Sequence, residues 1–296
     1  MNRFFKLAAA TICFIAIFKL IVPLPHENNV LVKEFWSKKT HAPNDFDYIA
    51  CGDSRIYRGI SSDVLNGSDT VLKFFNLGYS SAGLNDEYLN FVTSKFNPTS
   101  ANKVLIIGIT PFSLTKKAMK NEALHKYLKL GTFDLFKQKF FTPLVKHFPI
   151  YSPKQIVYPR KLNYLQEQTE EGWIASDKIL PDSTLALKNY STTFIGNAVS
   201  RKSMANLIIK LREISAKNIT VLAFRPPTTL AMKRLEDSLS GFDETYIKNE
   251  LTKNSIYWLE LDFSQFESYD GSHLNKKSAI LLSKSIGKKI NSPANN

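Results

Sequence analysis

Five short apolar segments recur along the chain, and amphipathic helical patterns lie between most of them. Each segment is nearly unbroken, which is typical of strands that are buried on both faces of a parallel sheet. The segments are residues 47–52, 71–78, 103–109, 219–225 and 255–262. They predict one sheet of five parallel strands.

Apolar residues at helical spacing mark the segments between these strands. The clearest runs lie at residues 84–95, 204–214 and 279–290, and the pair Ser80-Ser81 is predicted to cap the first of these helices. Strands that alternate with helices predict an α/β fold, in the form of a three-layer α/β/α sandwich with right-handed crossovers.

The first 25 residues differ in kind from the rest. Arg3 and Lys6 precede an apolar stretch at residues 7–24, and no small-x-small cleavage site follows it. Such a start is typical of a transmembrane helix or of a signal peptide. The missing cleavage site favours an uncleaved anchor at residues 1–25, with a cleaved signal peptide or a buried helix as alternatives.

The position of the positive charges predicts where the rest of the chain lies. Basic residues before the apolar stretch favour a cytoplasmic N-terminus. We therefore expect a single-pass protein of the cytoplasmic membrane, with its main domain in the periplasm or at the cell surface. Residues 26–45 are predicted to form a polar stalk, and residues 46–296 the α/β domain.

One connection is much longer than an α/β fold requires. It covers residues 112–198, whereas structureless connections beyond about 12–15 residues are uncommon and often functional. Within it, the Phe, Leu and Lys residues of 128–148 form a basic amphipathic stretch. This stretch could lie on a lipid surface or pack against its own domain. We expect the insertion to form a cap beside the active face.

Charge and composition narrow the class of partner. The chain has 296 residues, of which 44% are hydrophobic, and a net charge of +13. Such a charge suits nucleic acid, an anionic membrane or an anionic surface polymer. Export to the cell surface and the scattered lysines favour membrane lipid and glycan over nucleic acid. No metal-ligand cluster and no phosphate loop is present, so we predict no metal and no other cofactor.

Chemically active residues follow the predicted strands at the sheet edge where α/β proteins form their sites. They are Ser54 and Arg55 after the first strand, Gly78 after the second, Thr110 after the third, Arg225 after the fourth, and Asp270 with His273 after the fifth. Ser54 is a candidate nucleophile, although Asp53 or Ser54 could simply cap the next helix. Arg55 and Arg225 could contact an anionic substrate or form structural ion pairs.

The Asp270-Gly-Ser-His273 segment supports the nucleophile interpretation. A histidine acts as a base when a carboxylate orients its other ring nitrogen, and an acid three residues away can reach that nitrogen. Chain order is free in such triads, because geometry and roles define them.

Taken together, these segments resemble the SGNH (GDSL-type) hydrolase superfamily. Gly52-Asp53-Ser54 is similar to its first block, Gly78 to its second, and Asp270 with His273 to its last. The resemblance implies that Ser54 is the nucleophile and His273 the base, which Asp270 orients. It also implies that the backbone N–H groups of Ser54 and Gly78 line an oxyanion hole. The family's third block is Gly-x-Asn-Asp, but here Thr110 stands at the Asn position and supplies a hydroxyl group instead of an amide.

A narrower resemblance is to the membrane-anchored relatives that serve alginate O-acetylation and teichoic-acid D-alanylation. It implies transfer of an acyl group to a glycan acceptor, with an integral-membrane acyltransferase as partner. The predicted function is thus a serine acyltransferase or esterase of the cell envelope. The alternative is an inactive module that binds glycan or organises a complex.

Overall fold

The computed structural model describes residues 3–21, 29–66, 72–142 and 164–291. The chain forms two compact units, which are described separately. The first comprises Met1–His41 and Lys126–Leu162, and the second, here called the α/β unit, comprises Ala42–His125 and Asn163–Asn296. Every residue predicted to form the site belongs to the α/β unit.

The α/β unit contains the predicted five-stranded parallel sheet, with the strand order β2-β1-β3-β6-β7. A separate antiparallel hairpin, β4–β5, was not predicted. The strands are β1 Tyr48–Cys51, β2 Phe74–Asn76, β3 Lys103–Gly108, β4 Tyr164–Gln168, β5 Ile174–Lys178, β6 Ile219–Phe224 and β7 Tyr257–Trp258. The five-strand sheet and the α/β class are therefore confirmed.

Burial explains why the central segments are unbroken runs of apolar residues. Ala50, Ile106 and Phe224 face a core that also contains residues from two helices, while Leu105 and Ala223 point to the opposite face and are equally buried. A strand covered on both faces loses the alternation of polar and apolar residues. The edge strand β7 is only two residues long, and its Tyr257 is exposed.

The helices that the structure describes are α1 Arg3–Ile21, α2 Asn29–Thr40, α3 Ser54–Gly59, α4 Ser62–Asn66, α5 Asp86–Thr93, α6 Lys116–Met119, α7 Ala123–Leu128, α8 Thr132–Phe140, α9 Thr184–Thr193, α10 Arg201–Ser215, α11 Leu230–Leu239, α12 Glu244–Lys253 and α13 Lys276–Asn291. Short 3-10 turns lie at Phe112–Leu114 and Phe263–Gln265. All three predicted helices are present, as α5, α10 and α13.

The predicted cap of α5 was wrong. The helix begins later, after Asn85, whose side-chain oxygen accepts the Tyr88 N–H at 2.9 Å. Ser81 instead has φ of 53° and belongs to the turn before it. An Asn at the N-cap satisfies a backbone donor that the helix itself cannot satisfy.

The N-terminal helix α1 covers most of the apolar stretch from which the anchor is predicted. Within residues 3–21, 29–66, 72–142 and 164–291, no helix is long and apolar enough to cross a membrane. The predicted transmembrane helix is therefore not supported by the fold. Part of the predicted stalk is helical, as α2.

The predicted insertion is divided between the two compact units. Helix α8 and part of α7 belong to the first unit, whereas the β4–β5 hairpin belongs to the α/β unit. Residues 143–148 of the predicted amphipathic stretch lie outside the described residues.

The turn of the β4–β5 hairpin is fixed against strand β2. The Glu171 carbonyl accepts the Asn76 N–H at 2.8 Å. Gly172 follows with φ of 88°, and a Cβ atom there would come within 2.3 Å of the Asn76 carbonyl oxygen. Glycine is therefore required at this point. Beyond the turn, the Trp173 indole donates to the Arg58 carbonyl at 3.0 Å.

Candidate active site

Ser54 lies on a tight turn between the end of β1 and the start of α3. Gly52 in this turn has φ of 145°, and a Cβ atom there would lie 2.6 Å from Ile56 Cγ1 and 2.8 Å from the Gly108 carbonyl oxygen. Only glycine fits this close approach. The turn presents Ser54 at the carboxyl edge of the sheet.

The Tyr88 hydroxyl of α5 holds the ends of β1 and β2 together. It accepts the Gly52 N–H at 2.9 Å and lies 2.7 Å from the Leu77 carbonyl and 3.0 Å from that of Gly52. A phenol has a single proton, so it donates to one carbonyl at a time. One buried side chain thus satisfies backbone groups on both sides of the nucleophile turn.

Asp53, and not Ser54, caps α3. Asp53 Oδ1 accepts the Arg55 N–H at 3.0 Å, and Oδ2 accepts the Thr110 hydroxyl at 2.6 Å. The cap leaves the Ser54 hydroxyl available for a different partner.

That partner is His273. Ser54 Oγ lies 2.8 Å from His273 Nε2, and His273 Nδ1 lies 2.8 Å from Asp270 Oδ2. The other oxygen of Asp270 accepts the backbone N–H groups of Ser272 and His273, at 2.9 and 2.8 Å. The Tyr269 ring lies 5.9 Å from the imidazole, at 14° to its plane. The structure thus brings together the three residues predicted to be catalytic.

The charges around the Ser54–His273–Asp270 contacts favour a neutral His273, which can act as a base. Burial alone would raise the pKa of Asp270, but hydrogen bonds and charge from His273 lower it to about 2. Burial and the guanidinium groups of Arg58 and Arg55 lower the pKa of His273, although Asp270 acts in the opposite direction. At neutral pH, Asp270 is therefore a carboxylate, and the imidazole can accept the Ser54 proton.

The pH dependence of Ser54 acylation follows from these shifts. Protonation of His273 removes the base, so the rate should rise with pH through a pKa below 6.5 and then stay constant. Replacing Arg58 with Gln removes a nearby cation and should move the midpoint to higher pH. The value of kcat/KM for a neutral ester, measured from pH 4 to 9, checks this. A wild-type midpoint above 7 would contradict it.

Two of the three predicted oxyanion donors are already used. The Gly78 N–H donates to Asn76 Oδ1 at 2.9 Å, and the amide group of Asn76 is held in turn by the carbonyls of Ile56 and Ile60. The Thr110 hydroxyl donates to Asp53. No described residue accepts the Ser54 N–H, so it alone of the three is available to an oxyanion.

The predicted substrate contacts of Arg55 and Arg225 are not supported by their positions. Each of these side chains is only 2% exposed, and both pair with Glu236, whose side chain is fully buried. Arg225 also contacts Asp237 and Glu244, at 2.6 and 2.7 Å.

Arg55 has a positioning role. Its Nε donates to Ser272 Oγ at 3.2 Å, which ties α3 to the loop that carries Asp270 and His273. Both guanidinium groups are buried in ion pairs, which indicates a structural role, although Arg225 Nε has no hydrogen-bond partner among the described residues.

Comparisons with known proteins do not assign a family. No protein-family model, curated protein or solved structure matches the chain. The case for a function therefore depends on the site itself.

Sequence reasoning missed two residues near the triad. Glu236 gave no signal, because it lies in a charged helical stretch that is typical of a solvated surface. Arg58 could have been found, since it follows Ser54 by four residues and α3 places such residues on one face. In the part of the chain that the structure describes, no group of three or more His, Cys, Asp or Glu residues could hold a metal ion.

Proposed function

We propose that the protein is a membrane-anchored, extracytoplasmic serine acyltransferase or esterase that acts on cell-envelope glycan. The observation that carries this proposal is the chain of contacts from Ser54 to His273 to Asp270, with 2.8 Å at each step. The position of these residues in the fold also supports the proposal. In a sheet of order β2-β1-β3-β6-β7, the crevice between the ends of β1 and β3 is where doubly wound proteins bind ligands.

The proposed reaction has two steps. Ser54 Oγ attacks the carbonyl carbon of an ester or thioester, while its proton passes to His273 Nε2. The tetrahedral intermediate collapses, the leaving group takes that proton, and the acyl group stays on Ser54. A sugar hydroxyl or water then attacks, and His273 accepts its proton and returns it to Ser54. Asp270 stabilises the imidazolium that forms in both steps.

The donor count predicts a slow enzyme. Of the three predicted donors, the Ser54 N–H alone is available to the oxyanion, and loss of one donor costs about 3 kcal/mol of transition-state stabilisation. The same observation favours the second candidate function, a non-catalytic module that binds glycan or organises a complex. The two candidates differ in whether Ser54 becomes acylated.

The resemblance to SGNH hydrolases is part of the proposal. The sheet order and the three residues of the triad support it, whereas the hydrogen-bonded Gly78 and the Thr110 that replaces Asn depart from it. The suggested integral-membrane acyltransferase partner rests on the narrower resemblance alone.

Two surfaces support contact with membrane lipid. Apolar side chains of α1, such as Phe4 and Leu7, are about 70% exposed. On α8, Phe133 and Phe140 are also exposed, and the Lys137 ammonium lies 4.5 Å from the centroid of the Phe133 ring. Exposed aromatic residues with lysines between them suit an anionic lipid interface.

Capture of an acyl group tests the catalytic proposal. Wild-type protein should react with a fluorophosphonate probe and should retain label from a radiolabelled acyl ester, because the neutral His273 activates Ser54. Ser54→Ala should lose both signals. Ser94→Ala is a matched control, because Ser94 is exposed on the far end of α5 and should keep both. A folded wild type that takes up neither label would support the non-catalytic module instead.

The proposed anchor predicts retention in the membrane. The full-length protein should sediment with membranes and resist extraction by high salt, because an apolar N-terminal helix is held by lipid and not by charge. Its C-terminus should be accessible to protease added outside the cytoplasmic membrane. A variant that lacks residues 2–25 should become soluble. A mature soluble form that begins near residue 25 would contradict the prediction.

A further inference from the structure

Arg58 carries a charge next to the triad and forms no ion pair with a carboxylate of the described residues. Its Nη1 donates to the Tyr269 hydroxyl at 2.6 Å. Its Nε is buried and has no hydrogen-bond partner among the residues that the structure describes. No ion pair within the described ranges includes Arg58, and most buried guanidinium groups have one.

The other two buried arginines near the site, unlike Arg58, form ion pairs with carboxylates. Arg55 lies on the same short helix and makes two contacts with Glu236 and one with Ser272. Arg225 has three carboxylate partners. Arg225 Nε is, like Arg58 Nε, buried without a hydrogen-bond partner among the described residues, so the difference lies in the ion pairs. Carboxylates pair with Arg55 and Arg225, whereas no described carboxylate forms an ion pair with Arg58.

The groups around Arg58 hold the side chain without neutralising it. Its guanidinium carbon lies 5.2 Å from the ring centroid of Tyr57 and 5.8 Å from that of Tyr164. Tyr57 also forms a hydrogen bond with Arg58, and the Tyr164 hydroxyl lies 3.1 Å from that of Tyr269. Burial raises the pKa of both Tyr57 and Tyr269, so these phenols stay neutral. Aromatic rings attract a cation but carry no counter-charge.

The nearest carboxylate is not free to serve Arg58. Both oxygens of Asp270 are used, one by the imidazole of His273 and the other by two backbone N–H groups. Arg58 nevertheless acts on the triad, since its charge helps to lower the pKa of His273. Tyr269, which accepts the bond from Arg58, also stacks on that imidazole. An anion bound at Arg58 would therefore lie beside the reacting serine.

We propose that Arg58 binds a carboxylate or phosphate group of the substrate, which makes the protein selective for anionic substrates. This inference rests on the proposed function for the meaning of "substrate", but the binding itself does not require catalysis. Guanidinium groups suit both anions, because their planar N–H donors match the spacing of the anion's oxygens. The anion could belong to the acceptor glycan or to the acyl donor.

A binding experiment on an inactive background tests the acceptor. The Ser54→Ala protein is titrated with three oligosaccharides of equal length, one neutral, one containing uronic acid and one bearing phosphate. We expect tighter binding of a charged sugar than of the neutral one. Adding Arg58→Gln should weaken that binding at least tenfold, while Arg58→Lys should retain part of it. Adding Arg201→Gln, which removes an exposed arginine on α10, should not change it.

A kinetic experiment tests the acyl donor. Wild type and Arg58→Gln are compared at pH 8, where His273 is neutral in both, on p-nitrophenyl acetate and on the p-nitrophenyl monoester of succinate. If the donor carries the anion, the ratio of kcat/KM for the charged ester to that for the neutral ester should fall at least tenfold in Arg58→Gln. Arg201→Gln should keep the wild-type ratio.

The two experiments separate the inference from the proposed function. Arg58-dependent binding of an anionic sugar by a protein that takes up no acyl label would support the anion site and overturn the enzyme. A labelled enzyme in which neither the binding nor the ratio depends on Arg58 would overturn the anion site alone. Equal losses on charged and neutral ligands would make Arg58 a structural residue, and would also overturn the inference.

Discussion

Replacing His273 with Ala should lower the rate of Ser54 acylation by about 10²–10⁴-fold, because the serine loses its general base. Ser54→Ala should abolish the acyl-enzyme altogether. The double variant should be little worse than either single one in turnover of an activated ester, since the two residues act as a unit. Burst kinetics with a p-nitrophenyl ester separates acylation from hydrolysis.

His125→Ala is a matched control for this experiment. The His125 imidazole also lies near a carboxylate, 3.0 Å from Glu87, but no hydrogen bond joins it to a serine among the described residues. The His125→Ala variant should keep the wild-type rate of Ser54 acylation. If His273→Ala acylates as fast as wild type, the 2.8 Å contact has no catalytic role and the proposed mechanism fails.

Replacing Glu236 with Ala should lower the free energy of unfolding by about 3–5 kcal/mol, because it leaves buried guanidinium charge without a counter-ion. The side chains of Glu236, Arg55 and Arg225 are all at most 2% exposed. Arg225 keeps Asp237 and Glu244, so most of the loss should come from Arg55. Urea denaturation of the purified protein measures the change.

Glu213→Ala provides the comparison on a different helix. Its ion pair with Lys210 is on the surface, with the Glu213 side chain 57% exposed, and such pairs contribute about 0–1 kcal/mol. The loss of unfolding free energy in Glu236→Gln should lie between those of Glu236→Ala and Glu213→Ala, because an amide oxygen still accepts a hydrogen bond but carries no charge. A loss below 1 kcal/mol in Glu236→Ala would show that the network does not stabilise the fold.

The sequence allowed the sheet and the triad to be predicted for related physical reasons. Strands buried on both faces leave unbroken apolar runs, and parallel strands bring their carboxyl ends to one edge. Residues that follow the first and fifth runs are therefore expected at the same edge of the sheet. This is why Ser54 and His273 could be paired across 219 positions without knowledge of the loops between them.

The hydrogen-bond and ion-pair partners of individual side chains could not be predicted in this way. Arg55 and Arg225 stand at strand ends, as substrate contacts would, but Glu236 forms ion pairs with both from a helix that gave no sign of burial. The Gly78 N–H was expected to be free, but the short side chain of Asn76 reaches it from two residues away. Such pairings depend on side-chain directions that spacing alone does not determine.

The β4–β5 hairpin was missed for a different reason. Strand β4 has no buried residue, and strand β5 is buried only over its first three residues and ends in Asp177 and Lys178, so neither resembles the buried runs of the main sheet. Gly172 between them, which has φ of 88°, is a turn residue that could have suggested a hairpin.

The phenol of Tyr88 couples the nucleophile turn to helix α5 in its motions as well as in its position. Because one hydroxyl contacts backbone groups at Gly52 and Leu77, opening either strand end breaks a hydrogen bond to that same buried hydroxyl. Amide protons there should exchange with solvent together and as slowly as those of the core, whereas loops near a reactive group usually open on their own. The chain would thus hold its serine rigidly at all times, and adaptation to different substrates would have to come from elements other than this turn.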